Sequence, residues 1–251
     1  MRLGFIGSGN MARAIALGLA DAPTIDALSF SDGGSGRALQ LADSLGGTAT
    51  STSDLVTSCD VLFLCHKPAQ LAEVAGLANE FSGTVVSVLA ATTLADLRKA
   101  FPAAAVVRSM PNVAVEFGSG VVVVAAGSDS SPALNELLNR LGSLIEVPED
   151  ELEIATAIGG CAPAFFAMFA RDLIDAAARR GMSEAVAREI VGQTLRGTGD
   201  VLAANGVDTE STMLAVASPG GLTEKALSSF ESSNLEDAVD RAVATVLGET
   251  S

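Results

Sequence analysis

A glycine-rich segment near the start of the chain, Gly7-Ser-Gly9-Asn-Met-Ala12, has residue types and spacing that suit phosphate binding. It follows the apolar run Arg2–Ile6 and opens an amphipathic stretch. In this G-x-G-x-x-A pattern, Gly7 permits a tight turn, Gly9 lets the backbone approach a pyrophosphate, and Ala12 lets strand and helix pack closely. Free N–H groups at the start of the helix attract the phosphates. The segment predicts a dinucleotide-binding turn; the alternative is a glycine-rich turn without a ligand.

The end of the second predicted strand carries two signals about the cofactor. Asp32 is placed to accept hydrogen bonds from the ribose hydroxyls of NAD, whereas Arg37 suits the extra phosphate of NADP. Gly33-Gly-Ser-Gly36, between them, would form either an anion-binding nest or a flexible loop. Arg37 would otherwise be a solvated residue in the first turn of a helix. We expect NADP, with NAD as the open alternative.

Alternating strands and helices must position these residues. The predicted strands are Arg2–Ile6, Ala27–Ser31, Val61–Cys65, Thr84–Val88, Ala105–Ser109, Gly120–Ala125 and Ser143–Val147. The predicted helices between them are Met11–Ala20, Arg37–Leu45, Pro68–Asn79, Thr93–Ala100 and Ser131–Leu141. This rhythm predicts an α/β fold of the Rossmann type, with a doubly wound parallel sheet.

The pattern changes after Val147-Pro148, where strand signals nearly cease. We therefore expect a dinucleotide-binding domain over residues 1–148 and an all-α domain over residues 149–251. Glu151–Arg180 is expected to form one long helix, interrupted or bent near Gly159-Gly160 and Pro163. The helices expected after it are Glu184–Ala204 with Ser183 as N-cap and an end at Asn205-Gly206, then Ser211–Ala217, Thr223–Glu231 and Leu235–Leu247.

Charge and composition exclude several function classes. The 251 residues carry 15 basic and 30 acidic side chains, a net charge of −15, so nucleic acid and anionic membranes are not expected partners. No apolar run of about 18 residues lacks both glycine and charge, so no membrane span is expected. The chain starts directly with a strand, so no signal peptide is expected. Its three cysteines form no C-x-x-C pair, which favours a reduced, cytoplasmic protein.

Several segments together resemble the pyrroline-5-carboxylate reductase family. They are Gly4-Phe-Ile-Gly-Ser-Gly-Asn-Met11, His66-Lys-Pro68, Arg108-Ser-Met-Pro-Asn112, Pro163-Ala-Phe165, Gln193-Thr-Leu-Arg-Gly197 and Ser218-Pro-Gly-Gly-Leu-Thr223. The resemblance covers essentially the whole chain, and the last of these segments is its most specific element. It implies a Rossmann domain followed by an all-α dimerisation domain. It also implies reduction of the C=N bond of 1-pyrroline-5-carboxylate to L-proline by a nicotinamide hydride.

The resemblance and the strand ends together define the expected site. The expected cofactor-binding residues are Gly7, Ser8, Gly9, Asn10, Met11, Ser31, Asp32, Arg37, His66, Lys67, Pro68, Ala90 and Asn112. The expected substrate-binding residues are Ser218, Gly220, Gly221, Leu222, Thr223 and Asn112. Thr223 is the candidate catalytic group, with water as the alternative proton donor. No metal ion is expected. We expect a homodimer or a larger assembly of dimers.

Each of these assignments has an alternative without a ligand. His66 would be an ordinary loop residue, Asn112 would form a turn, and Ser218–Thr223 would be a capped turn with Ser218 as N-cap. The chain also departs from the family pattern. Gly159-Gly-Cys-Ala-Pro-Ala-Phe165 replaces S-G-S-G-P-A-Y, and Leu222 replaces a threonine, so hydroxyls are lost where the family lines its site. The chain is then a reductase of this imine, a paralogue that acts on another cyclic imine, or a non-catalytic NADP-binding protein.

Two other reductase families begin with a similar turn. β-Hydroxyacid dehydrogenases place a catalytic lysine on the long helix between domains, and Glu151–Arg180 contains no lysine. A deazaflavin-dependent NADP reductase would not explain the helical second half or the Ser218–Thr223 segment. Both families therefore fit this chain less well than the imine reductases do.

Overall fold

The computed structural model describes residues 1–204 and 206–249. The chain forms two compact units, Met1–Cys161 and Ala162–Ser251. The first unit is built on an eight-stranded sheet. Its strands are β1 (Arg2–Ile6), β2 (Ala27–Ser31), β3 (Thr48–Ala49), β4 (Val61–Leu64), β5 (Thr84–Ser87), β6 (Ala105–Pro111), β7 (Gly120–Ala125) and β8 (Gly142–Val147).

The strand order is β3-β2-β1-β4-β5-β6-β7-β8. The order reverses between β1 and β4, and this is the crevice where open α/β sheets bind ligands. The sequence predicts a parallel sheet, and this prediction is wrong for one pair of strands. The strand β7 runs antiparallel to β6, whereas the other neighbouring pairs are parallel. The short connection over Val113–Phe117 explains this reversal, since a parallel crossover needs a dozen or more residues. The Rossmann-type architecture is confirmed.

Helices cover both faces of the sheet. They are α1 (Asn10–Leu19), α2 (Arg37–Leu45), α3 (Thr52–Ser58), α4 (Leu71–Ala78), α5 (Leu94–Ala100), α6 (Pro132–Asn139) and α7 (Leu152–Ala155). Thr93 and Ser131, which were expected inside helices, are instead N-caps whose hydroxyls accept hydrogen bonds from backbone N–H groups. The helix α3 and the two-residue strand β3 are not predicted from the sequence.

Two apolar layers, one on each face of the sheet, form the core. Phe5 of β1 lies between Phe30 of β2 and Phe63 of β4, with ring centroids 5.2 and 5.0 Å apart. All three side chains are buried. This stack spans the point where the strand order reverses, so it holds together the strands that carry the glycine-rich turn.

Residues 149–161 continue from the sheet as a short helical segment. It consists of a 3₁₀ turn (Glu149–Glu151), α7 and a π-helical turn (Thr156–Cys161). The expected interruption near Gly159-Gly160 is therefore present. The segment belongs to the first compact unit, and Leu152 and Ala157 in it are fully buried. The domain boundary expected at residue 148 stays a prediction.

The second unit is helical. Its helices are α8 (Ala162–Ala178), α9 (Glu184–Ala203), α10 (Thr209–Val216), α11 (Leu222–Ser232) and α12 (Leu235–Leu247). Ser183 caps α9 as expected, and Asn205 of the expected helix end lies outside the described residues. The helical stretch Glu149–Ala178 is long and apolar enough to span a membrane by length and composition alone. A single such helix is weak evidence for a span.

Candidate functional site

The glycine-rich turn is held against the ends of β2 and β4. Gly7 has a φ of +93°, and a Cβ on it would lie 2.5 Å from the backbone nitrogen of His66. Only glycine fits such a conformation and such a close backbone approach. The Gly7 N–H and the Ser8 hydroxyl both donate to the Ser31 carbonyl, at 3.0 and 3.1 Å. Three of the predicted cofactor residues thus shape the turn through contacts with each other.

The N-terminus of α1 is open to a ligand. Gly9 is its N-cap, and no side chain of the described residues caps it. A Cβ on Gly9 would meet no atom within 4 Å. Asn10 is exposed, whereas the Met11 side chain packs against the core, so Met11 offers its backbone N–H to a ligand. Open space beside uncapped N–H groups is what a pyrophosphate requires.

The Asp32 carboxylate is engaged in its own loop. It accepts hydrogen bonds from the Ala38 N–H at 2.9 Å, the Ser35 hydroxyl at 2.8 Å and the Gly34 N–H at 2.9 Å. The hydrogen bond from Ala38, followed by those from Ser35 and Gly34, lowers the pKa of Asp32 below its ordinary value. The Oδ2 atom of this carboxylate holds the start of α2, and Oδ1 accepts one hydrogen bond from the loop.

Arg37 lines a pocket that opens beside the glycine-rich turn. The pocket has a volume of about 280 Å³. It is lined by Ser8, Gly9, Asn10, Arg13, Arg37, Gln40, Leu41 and Ser44. Arg13 is paired with Glu116 at 2.8 Å, whereas Arg37 forms no salt bridge among the described residues. An unpaired guanidinium in a pocket next to a pyrophosphate site favours a second phosphate, as NADP carries.

Sequence reasoning missed Arg13, Gln40 and Ser44 in this pocket. A signal for two of them was present, because Arg37, Gln40 and Ser44 recur at helical spacing and share one face of α2. Arg13 lies four residues after Gly9 and therefore on the same side of α1 as the turn.

His66 follows β4 at the same edge of the sheet. Its Nδ1 lies 2.9 Å from the Lys67 carbonyl oxygen, which can only accept, so Nδ1 carries the proton. Its Nε2 is buried and has no hydrogen-bond partner among the described residues. Burial lowers the pKa of His66 below its ordinary value, which favours the neutral ring. Lys67 is exposed and precedes the 3₁₀ turn Pro68–Gln70, whose Gln70 accepts from the Lys67 N–H.

The segment after β5 contains a strained residue next to predicted cofactor contact Ala90. Ala91 has a φ of +51°, and the Thr92 hydroxyl donates to the Ala90 carbonyl at 3.1 Å. Left-handed backbone is unfavourable for a residue with a Cβ, and such residues often lie at functional sites.

Ala91→Gly is expected to stabilise the protein by about 0.5–1 kcal/mol. The substitution relieves a left-handed penalty of about 1–2 kcal/mol and adds about 0.5–1 kcal/mol of freedom to the unfolded chain. Urea unfolding measures the difference, and Ala90→Gly is the control because Ala90 does not have a positive φ. A lower unfolding free energy for Ala91→Gly would contradict the predicted strain.

Asn112 follows β6, and all the polar groups of its side chain contact backbone. Its Oδ1 accepts from the Ala114 and Val121 N–H groups, and its Nδ2 donates to the Gly159 carbonyl at 3.1 Å. It is the N-cap of the 3₁₀ turn Val113–Phe117, so the turn-forming alternative is present. Its binding of cofactor or substrate stays a prediction.

The turn before α11 lies in the helical unit. The N-cap of α11 is Gly221, so the alternative of Ser218 as N-cap is wrong because the helix starts at Leu222. The Gly221 N–H donates to the Ser218 carbonyl at 2.8 Å, and the Gly220 N–H to the Glu224 carboxylate at 2.7 Å. No side chain of the described residues caps α11, which leaves the N–H groups of its first turn free. Sequence reasoning missed Glu224.

The residues around the glycine-rich turn fit a nicotinamide dinucleotide. Uncapped N–H groups and the cradle above Gly9 suit the pyrophosphate, and Arg37 suits an additional phosphate. Among residues 1–204 and 206–249, no group of three or more metal-ligating side chains is present.

Comparison with known proteins agrees with this geometry. Residues 149–250 match the family model described as pyrroline-5-carboxylate reductase dimerisation, and residues 2–91 match that of coenzyme F420-dependent NADP oxidoreductases. Pyrroline-5-carboxylate reductase 3 of Bos taurus is 34% identical, over 96% of this chain and 82% of its own. Pyrroline-5-carboxylate reductase of Mycobacterium tuberculosis is 32% identical, over 96% and 93%.

Solved structures show the same fold along the chain. Plasmodium falciparum pyrroline carboxylate reductase with NADP bound has a TM-score of 0.86 and 25% identity, covering 99% of this chain and 96% of its own. The 1-pyrroline-5-carboxylate reductase of Streptococcus pyogenes has a TM-score of 0.86 and 27% identity, covering 99% and 97%. The chain belongs to the pyrroline-5-carboxylate reductase family.

Proposed function

We propose that this protein reduces 1-pyrroline-5-carboxylate to L-proline, with NADPH as the hydride donor. The observation that carries the proposal is similarity to reductases named for this imine across 96% of the chain. The uncapped α1 N-terminus and the Arg37 pocket support a phosphate-bearing dinucleotide. When bound, the nicotinamide supplies the hydride that adds to the imine carbon, while the imine nitrogen gains a proton.

The chain's own residues bind and orient the reactants. The N–H groups at the start of α1 hold the pyrophosphate, and Arg37 holds the additional phosphate. His66, Lys67, Pro68 and Ala90 follow the strand ends and line the ribose and nicotinamide. The engagement of Asp32 in its own loop supports NADP over NAD.

The start of α11 would bind the substrate carboxylate. The Gly220 and Gly221 N–H groups already have partners, so the free N–H groups of Leu222 and Thr223 serve this role. Ser218 and the two glycines then shape the turn. The Thr223 hydroxyl, or a water molecule, donates the proton to the imine nitrogen.

Leu222→Asp is expected to raise the KM for pyrroline-5-carboxylate by about tenfold, because it places a like charge at the carboxylate site. Leu222 is 87% exposed, and an acidic residue in the first turn of a helix is favourable, so folding is preserved. Leu222 is a better position for this test than Gly221, whose Cβ would lie 2.7 Å from the Ser218 carbonyl oxygen.

Leu222→Asn is the matched control, since it has the same size without the charge. Steady-state rates at saturating NADPH give both KM values. Equal KM values for Leu222→Asp and Leu222→Asn would contradict the placement of the carboxylate.

The lost hydroxyls favour a second candidate, a paralogue that acts on another cyclic imine. Gly159, Cys161, Phe165 and Leu222 stand where the family pattern has serine, tyrosine or threonine. Oxidation of NADPH, followed at the nicotinamide absorbance, is compared for pyrroline-5-carboxylate and its six-membered homologue. We expect faster turnover of pyrroline-5-carboxylate. Turnover of only the homologue supports the paralogue, and tight NADPH binding without turnover supports a non-catalytic protein.

We further propose a cytoplasmic homodimer. The helical unit exposes large apolar side chains, including Phe166 (62%), Met168 (55%) and Leu214 (63%), and residues 149–250 match a dimerisation model. Burial against a second copy would remove this surface from water. The same requirement explains the apolar composition of Glu149–Ala178 without a membrane. Light scattering at micromolar concentration is expected to give at least twice the 25.3 kDa of the chain, and a monomer would contradict the assembly.

A further inference from the structure

The orientation of the Asn112 amide is fixed by its three partners. Backbone N–H groups can only donate, so the atom facing Ala114 and Val121 is the oxygen, at 3.1 and 3.4 Å. A carbonyl can only accept, so the atom facing Gly159 is the nitrogen, at 3.1 Å. The side chain therefore links the end of β6, the start of β7 and the π-helical turn.

The π-helical turn Thr156–Cys161 lies over the ends of β6 and β7. A Cβ on Gly159 would be 3.3 Å from Cγ1 of Val121, and one on Gly160 would be 4.0 Å from Cγ of Met110. Asn112 follows β6, which runs parallel to β5 over Ala105–Arg108 and pairs antiparallel with β7 over Ser109–Pro111. It therefore lies at the edge of the sheet where the parallel strands end and ligands gather. π-Helical turns occur frequently at functional sites.

A second anchor on β6 holds the beginning of the same segment. The Arg108 side chain is 4% exposed and pairs with Glu149 at 3.0 Å and with Glu153 at 2.8 Å. Glu149 also accepts from the Leu94 N–H at 2.7 Å. Residues 149–159 are thus tied at one end to Arg108 of β6 and at the other end to Asn112, which directly follows β6.

We propose that Asn112 is a positioning residue for imine reduction, and that it acts through the π-helical turn. Its Oδ1 and one hydrogen of its Nδ2 are engaged by backbone, so in this role Asn112 acts through the turn and not through the direct contact with cofactor or substrate that the sequence predicts. Its donation to the Gly159 carbonyl fixes the turn that presents Gly159, Gly160 and Cys161. Gly159 and Cys161 stand where the family pattern has serine. The proposal rests on the proposed imine reduction.

Asn112→Asp in the full-length protein tests this role. Aspartate keeps the two accepted hydrogen bonds and loses the donation to the Gly159 carbonyl, so the turn is released. We expect the KM for pyrroline-5-carboxylate to rise and kcat to fall, each by about three- to tenfold, while the Kd of NADPH changes less than about twofold. Amide hydrogen exchange is expected to quicken in peptides covering residues 156–161, and not in those covering residues 120–125.

Two further variants keep the test decisive. Asn135→Asp is the matched control: Asn135 also accepts through Oδ1, from Ser130, and lies on α6. It is expected to behave as wild type. Gly159→Ala adds no charge and brings a Cβ to 3.3 Å from Cγ1 of Val121, so the turn or the Val121 side chain must shift by a few tenths of an ångström. Gly159→Ala is expected to raise the KM, as Asn112→Asp does. It therefore tests the role of the turn even if Asn112→Asp does not fold.

The outcomes separate this proposal from the proposed function. Wild-type KM and kcat in Asn112→Asp would overturn the positioning role. A raised KM in Asn112→Asp together with a wild-type KM in Gly159→Ala would also overturn the positioning role. The negative charge of the new aspartate would then be the cause of the raised KM. A tenfold weaker Kd for NADPH with unchanged exchange would show direct cofactor contact instead. If the wild-type protein does not reduce pyrroline-5-carboxylate, the proposed function fails. Unchanged amide exchange of residues 156–161 in Asn112→Asp would, independently of this, refute the hold of Asn112 on the π-helical turn.

Discussion

Gly9→Asp is expected to weaken NADPH binding by about a hundredfold or more, with the fold intact. A Cβ on Gly9 meets no atom within 4 Å, and its φ of −83° suits any residue, so the substitution causes no clash within the protein. The new carboxylate would occupy the cradle beside the uncapped N-terminus of α1. It would repel the pyrophosphate and compete with it for the same N–H groups.

Two variants separate charge from volume at this position. Gly9→Ala adds the methyl group alone and is expected to weaken binding by no more than about tenfold. Gly76→Asp adds the same charge on α4, where a Cβ also meets open space, and is expected to bind NADPH as wild type does. Titration of the nicotinamide fluorescence gives the Kd of NADPH for the wild-type protein, Gly9→Asp, Gly9→Ala and Gly76→Asp. A Kd for Gly9→Asp within about threefold of wild type would show that the pyrophosphate does not lie at this turn.

Arg37→Ser is expected to reduce kcat/KM with NADPH by about 30- to 100-fold and to leave kcat/KM with NADH nearly unchanged. Arg37 forms no salt bridge among the described residues and lines the pocket beside Gly9. A charge-assisted hydrogen bond to a phosphate is lost only with the cofactor that carries this phosphate. Arg13 cannot replace it freely, since Arg13 is paired with Glu116 at 2.8 Å.

Arg140→Ser is the control for this prediction, because it removes the same charge from an exposed position at the end of α6. Initial rates with each cofactor at a fixed imine concentration measure the preference. Equal losses of kcat/KM with NADPH and NADH would show that Arg37 contacts a part of the cofactor that both dinucleotides share. A wild-type preference for NADH would show that Asp32, despite its three internal hydrogen bonds, governs the choice.

Local patterns predicted most of the Rossmann unit. The bounds of α2 and β7 agree with the sequence analysis, since an amphipathic stretch and an uninterrupted valine run are strong local signals. An apolar run reads the same in either direction, so the valine run alone does not predict the antiparallel direction of β7. The available signal was the ten residues between the two predicted strands, which are too few for a parallel crossover. The strand Thr48–Ala49 is too short for any periodicity, and its two residues form a strand only because β2 lies beside them.

The site shows a similar division between local and tertiary information. Spacing alone located the glycine-rich turn, but not the engagement of Asp32 by Ser35 and Ala38, which depends on how the loop closes. The contact of Asn112 with Gly159 joins residues 47 positions apart, and no local pattern encodes it. Glu224, by contrast, was predictable in principle, because a glutamate at the third position of a helix commonly reaches back to the preceding N–H groups.

We propose that this chain transfers a hydride from NADPH to the carbon of the imine bond in pyrroline-5-carboxylate. The direct measurement uses NADPH that carries deuterium at both C4 positions, with the product analysed by mass spectrometry and NMR. We expect L-proline with one deuterium on the former imine carbon, formed in equal amount to the NADPH consumed. Consumption of NADPH without deuterated proline, or no consumption at all, would contradict it.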